Sequence, residues 1–85
     1  MSTTFQTAVK KNVSRMQRYG AIDALVQGDE TTNLAILVRM GGLRGEFRRH
    51  ALNGLADCNA DAALEELGDD TTIEPSLRRR AEELA

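Results

Sequence analysis

Eighty-five residues carrying 11 Lys and Arg against 13 Asp and Glu make one small domain with a net charge of −2. One Cys and one His exclude an internal disulfide and a clustered zinc site, and no stretch approaches the ~20 apolar residues of a membrane-spanning helix. No basic start followed by an apolar core marks a secretory leader, so the expected compartment is the cytoplasm.

The first 27 residues read as an amphipathic helical region over 5–27. Phe5, Val9, Val13 and Met16 recur at helical spacing and fall in one stripe at ~100° per residue. Lys10, Lys11, Arg15 and Arg18 fall on the other side. Ser2 to Thr4 offer caps, and Gly20 is the expected stop. Ile22, Leu25 and Val26 then predict a second short helix, or a continuation after a kink at Gly20, ending at Gly28.

The densest apolar run, 34–40, organises the rest of the chain. A short apolar block does not reveal its period, so its flanks decide. Thr31 and Thr32 can cap a helix, and Gly41-Gly42 can close one in the left-handed conformation. Arg39 is expected to reach solvent from it. A further helix is predicted from Leu43 to Asp57, with Leu43, Phe47, Ala51, Gly54 and Leu55 on its buried face. Glu46 can pair with Arg49 or His50 one turn on. Residues 59–67 read as a helix capped by Asn59 or Asp61 and ended by Gly68. The last helix opens at Pro75, which suits a first turn because its missing N–H has no role there. Arg78 with Glu82 and Arg79 with Glu83 are spaced for pairing along it. Leu37, Phe47, Leu55 and Leu64 are expected at the centre of the core. No alternating run or hairpin turn predicts a strand.

The fold class is therefore all-α: five or six short helices, the last four forming two stacked antiparallel pairs over 32–57 and 59–85. A shift of thirty residues overlays Leu34 on Leu64, Leu37 on Leu67, Leu43 on Ile73 and Phe47 on Leu77. It also lays Arg48-Arg49-His50-Ala51 on Arg78-Arg79-Arg80-Ala81. With these residues, roughly 32–85 resembles degenerate HEAT-like helical repeats, although with two units and a double glycine in the first turn. The resemblance implies a scaffold for protein contacts without chemistry of its own. An irregular helical bundle is the alternative.

Function is weighed on the same residues. Catalytic carboxylates need shielding to shift their pKa values, and Glu65-Glu66 and Asp69-Asp70 lie in a polar stretch. Cys58 and His50 are eight positions apart, a weak spacing for a nucleophile and its base. The chain is accordingly read as no enzyme, with no catalytic residue, metal or cofactor. Charge, by contrast, is polarised: Lys10, Lys11, Arg15 and Arg18 precede any acid, and from 57 to 74 every ionic residue is acidic. The candidate contacts for an anionic partner are Lys10, Lys11, Arg15, Arg18, Arg44, Arg48 and Arg49. The favoured role is a non-catalytic protein–protein interaction module. The alternative is a small DNA-binding regulator using a helix-turn-helix at 32–57 with the basic first helix. A membrane surface is disfavoured, since the first helix lacks a large apolar wedge. The apolar edge of the last helix is expected to be uncovered, which predicts a homodimer through Leu77, Leu84, Phe5 and Val9.

Overall fold

The computed structural model describes residues 3–85, and these are all helical in architecture. Six helices follow one another: α1 (Thr3–Val9), α2 (Arg15–Gln27), α3 (Thr31–Arg39), α4 (Gly45–Asp57), α5 (Asp61–Gly68) and α6 (Pro75–Leu84). They pack as antiparallel neighbours α1 with α2, α3 with α4 and α5 with α6. α4 lies at the centre and also touches α2, α5 and α6. The radius of gyration is 11.7 Å, close to the ~12 Å of a well-packed chain of this length.

The core forms where the apolar pattern predicts it. Leu34, Leu37, Val38, Leu55 and Leu64 are fully buried and Phe47 is nearly so. α4 buries Phe47, Ala51, Gly54 and Leu55 as expected, and Leu52 with them. α6 starts at Pro75.

The N-terminal third differs from expectation. The stripe Phe5, Val9, Val13 and Met16 is not one helix, because α1 ends at Val9 and the chain turns before α2. Ser14 causes the restart. Its hydroxyl accepts the Gln17 N–H at 3.1 Å, while the Gln17 side chain accepts the Ser14 N–H at 2.8 Å. This capping box satisfies two backbone donors that a continuous helix would not leave free. Met16 is consequently 85% exposed rather than packed. Gly20 does not stop a helix but sits within α2, with open space where a Cβ would lie. Ser2, one of the expected caps, lies outside the described residues.

The helix ends differ as well. No described glycine has a positive φ. The left-handed residues are Asp29 and Asn59, each at φ 55°. Asp29 N–H donates to Val26 O and Glu30 N–H to Leu25 O, while Asn59 N–H donates to Ala56 O and Ala60 N–H to Leu55 O. Both are Schellman closures, with the left-handed place taken by a residue type that tolerates it. Asn59 thus closes α4 instead of capping α5. Neither α3 nor α5 has a side-chain cap.

Helix boundaries recur at an interval of thirty residues along the whole described chain. α2 and α4 match at both ends, α3 and α5 start thirty apart, as do α4 and α6, and so do Asp29 and Asn59. The side chains follow. Ala21, Ala51 and Ala81 are all buried, and Arg18, Arg48 and Arg78 each carry a buried Nε without a hydrogen-bond partner. The interval therefore includes α1 and α2, which the sequence overlay left out. Thr4, Thr7 and Gln17 stand there where the later pairs have leucine or phenylalanine.

The outer face of the last pair is not an uncovered apolar edge. Phe5 and Ala35 are buried, whereas Glu65, thirty residues on, is exposed. Ile22 and Leu52 are fully buried, whereas Glu82 is exposed. Glutamates thus stand where the two preceding pairs are covered. Leu77 and Phe5, expected at a dimer contact, are only 1% and 6% exposed within their own chain. Leu84 and Val9 are half-buried against the same core.

Candidate partner-binding groove

A hollow of about 620 Å³ opens between the first helix pair and the second. Its apolar floor is Val9, Val13, Met40, Leu43 and Phe47, and its cations are Lys11, Arg15, Arg18 and Arg44. The break between α1 and α2 creates it. The turn after Val9 supplies Lys11 and Val13, and the Ser14 cap starts α2 so that Arg15 and Arg18 point to the same side. The turn after α3 supplies Leu43 and Arg44 from across the groove.

Two arginines are held in place by neighbours. Arg15 Nε donates to Glu46 Oε1 at 2.6 Å, and the Tyr19 hydroxyl donates to the same oxygen at 3.1 Å. The Arg15 hydrogen bond, helped by Tyr19, holds the Glu46 carboxyl below the usual range and raises the Arg15 guanidinium. Arg15 also lies 5.6 Å from the Tyr19 ring centroid. Arg18 lies 5.1 Å from the centroid of Phe47, a cation–π contact, and one terminal nitrogen donates to the Lys10 carbonyl. Tyr19 and Phe47 complete the stack at 5.0 Å between centroids. Glu46 therefore pairs across helices, not with Arg49 or His50 along its own.

Of the seven cationic candidates, the fold brings Lys11, Arg15, Arg18 and Arg44 to one groove. Lys10 and Arg49 are exposed but outside its lining. Arg48 is a correction: it is 7% exposed and donates to Glu74 Oε1 at 2.6 Å, so it belongs to the interior of this chain. Arg39 is exposed, as expected, and from there donates to Asp70 Oδ2 at 2.8 Å. On α6 the observed pair is Arg80 with Glu83 at 3.6 Å. The apolar residues of the groove, Met40 and Leu43, had no signal as a site, because an apolar residue beside a turn reads as ordinary core.

A smaller hollow of about 250 Å³ is lined by Asp23, Val26, Gln27, His50, Asn53, Gly54 and Asp57. His50 Nε2 hydrogen-bonds Asp23 Oδ1 at 2.6 Å and meets the Tyr19 ring edge-on. Cys58 donates instead to the Val26 carbonyl at 3.5 Å. Burial pushes its thiol up, and Asp29 adds to this, so it is no ready thiolate. Among the described residues no group of three His, Cys, Asp or Glu could hold a metal, and no helix is long and apolar enough to cross a membrane. No protein-family model, curated protein or solved structure matches the chain.

Proposed function

We propose that this chain is a non-catalytic protein-interaction module built from HEAT-like helix pairs, with the basic groove as its contact surface. The carrying observation is the groove itself: four cations over an apolar floor, with Glu46 hydrogen-bonded to Arg15 and within electrostatic reach of Arg44. Such a surface suits an extended partner segment that alternates acidic and apolar side chains. The thirty-residue interval supports the scaffold reading, since units that contact only their neighbours leave their connecting turns free to bind. So do the ion pairs Arg15–Glu46, Arg39–Asp70 and Arg48–Glu74 and the hydrogen bond between Asp23 and His50, which all join one helix pair to the next. A cytoplasmic setting fits the single unpaired thiol of Cys58.

The DNA-binding alternative is weaker. A recognition helix needs a free face, yet α4 is flanked by α2 and α6, and Arg48 in its first half is buried. Self-association retains only Val9 and Leu84 of its expected contacts. Fluorescence anisotropy separates these readings. The probes are a labelled twelve-residue peptide alternating Glu and Leu and a labelled DNA duplex of twenty base pairs. Binding of the peptide at physiological salt, with the duplex much weaker, supports the module. Tight duplex binding that collapses as salt rises contradicts it in favour of DNA.

A further inference from the structure

The first and second helix pairs carry the same arginine in the same place but meet opposite charges. Arg48 of α4 donates through a terminal nitrogen to Glu74, the residue that precedes α6, across 26 positions of chain. Arg18 of α2 stands thirty residues before Arg48, and the residue that precedes α4 stands thirty before Glu74. That residue is Arg44. The backbones at Arg44 and Glu74 superpose in conformation, with φ/ψ of −60°/145° and −61°/144°. Side chains at the two positions therefore leave the chain alike. Where the second pair is given a carboxylate, the first is given a second guanidinium. Arg18 Nε, like that of Arg48, is buried without a hydrogen-bond partner, but the terminal nitrogen of Arg18 meets the Lys10 carbonyl where that of Arg48 meets a carboxylate, and both Arg18 and Arg44 line the groove. A cation at the start of a helix is also unfavourable against the helix dipole, and Glu46, the acid whose carboxyl Arg44 helps to lower, is already hydrogen-bonded by Arg15.

We infer that Arg18 and Arg44 form a seat for one carboxylate of a protein partner, an Asp or Glu side chain in an extended segment, standing where Glu74 stands for Arg48. This rests on the groove being the contact surface and adds which two residues read the acid. Two guanidiniums give fork-shaped donors matched to a carboxylate, and the Phe47 ring behind Arg18 limits its freedom to turn away. Leu43 and Val13 beside them offer an apolar rest for the neighbouring side chain of the segment.

The test uses the full chain and the Glu/Leu peptide, with a Gln/Leu peptide as control. Arg18→Gln and Arg44→Gln are each expected to weaken the Glu/Leu peptide about tenfold or more, as loss of a charged hydrogen bond does. Arg49→Gln, outside the groove, should change it by less than about threefold. Arg44→Glu supplies the missing carboxylate from within. It should abolish peptide binding and raise the melting temperature, and the rise should shrink when Arg18→Gln is added. Peptide binding by the unaltered protein that ignores Arg18→Gln and Arg44→Gln overturns the seat while leaving the groove. So does equal binding of the Gln/Leu peptide, or an Arg44→Glu gain that survives Arg18→Gln in full. No binding by the unaltered protein overturns the groove reading and the seat together.

Discussion

Arg48 reaches Glu74 across the junction of α4 and α6 at 2.6 Å, with the arginine side chain 9% exposed and the glutamate 58%. The buried partner gives this pair its weight. Loss of the carboxylate leaves a guanidinium that water cannot fully reach, at about 1–3 kcal/mol. Glu74→Gln should therefore lower the unfolding free energy by about that much. Adding Arg48→Met should recover part of the loss, because an apolar side chain needs no partner there. Chemical denaturation of the two variants checks the order. A double variant less stable than Glu74→Gln alone would show that the arginine stabilises the junction without its partner.

Leu37 lies at the middle of the organising helix and is fully buried. Leu37→Ala should cost about 2–5 kcal/mol, which in a domain of this size approaches the whole stability. A denaturation midpoint unmoved by the substitution would contradict the packing of α3.

Two helical glycines should respond in opposite directions to alanine. Gly20 is exposed in α2 with open space around it, so Gly20→Ala should add about 0.5–1 kcal/mol by cutting unfolded-state freedom. At Gly54 a Cβ would lie 2.5 Å from Val26 Cγ2, where α4 crosses α2. Val26 is β-branched and cannot swing away cheaply. Gly54→Ala should therefore lose stability despite its better helix propensity, with overpacking of about 1–3 kcal/mol outweighing the gain. Thermal melts of both variants read the signs directly.

Acid should loosen the junction between α3 and the turn before α6. The Thr72 hydroxyl first, then Arg39 and the Thr72 N–H, hold the Asp70 carboxyl down at about 2. In the unfolded chain it returns to ~3.9. The folded value is the lower one, so the stabilisation is present above about pH 4 and is lost as pH falls towards about 2. Glu46, lowered by Arg15, acts in the same direction. The melting temperature should fall through this window, and Asp70→Asn should make the fall shallower. An equally steep fall in that variant would assign the acid response to other groups.

The parts legible in the sequence were those where one face of a helix is apolar and the other is not. Phe47, Ala51, Gly54 and Leu55 told their own burial, and Pro75 told the start of α6. The N-terminal third was misread because Val13 and Met16 fall on the Phe5 wheel by coincidence of spacing, while Ser14 and Gln17 end that helix by a local hydrogen-bond exchange. That signal was present, a Ser with Gln three residues on. The thirty-residue interval was hidden there because Thr4, Thr7 and Gln17 replace its larger apolar residues, leaving Val13, Arg18 and Ala21 as its trace. Arg48 could not be told from Arg44 or Arg49 by type. Its burial depends on Glu74, which the chain brings close only through the stacking of helix pairs.

The most direct test of the groove as a partner surface is amide NMR of the full chain titrated with the Glu/Leu peptide. Shifts should concentrate at Lys11, Val13, Arg15, Arg18, Leu43 and Arg44, weaken with added salt, and leave Asp23, His50 and Asp57 unmoved. Shifts that cluster around His50 and Asp57, or that spread evenly over the chain, would contradict it.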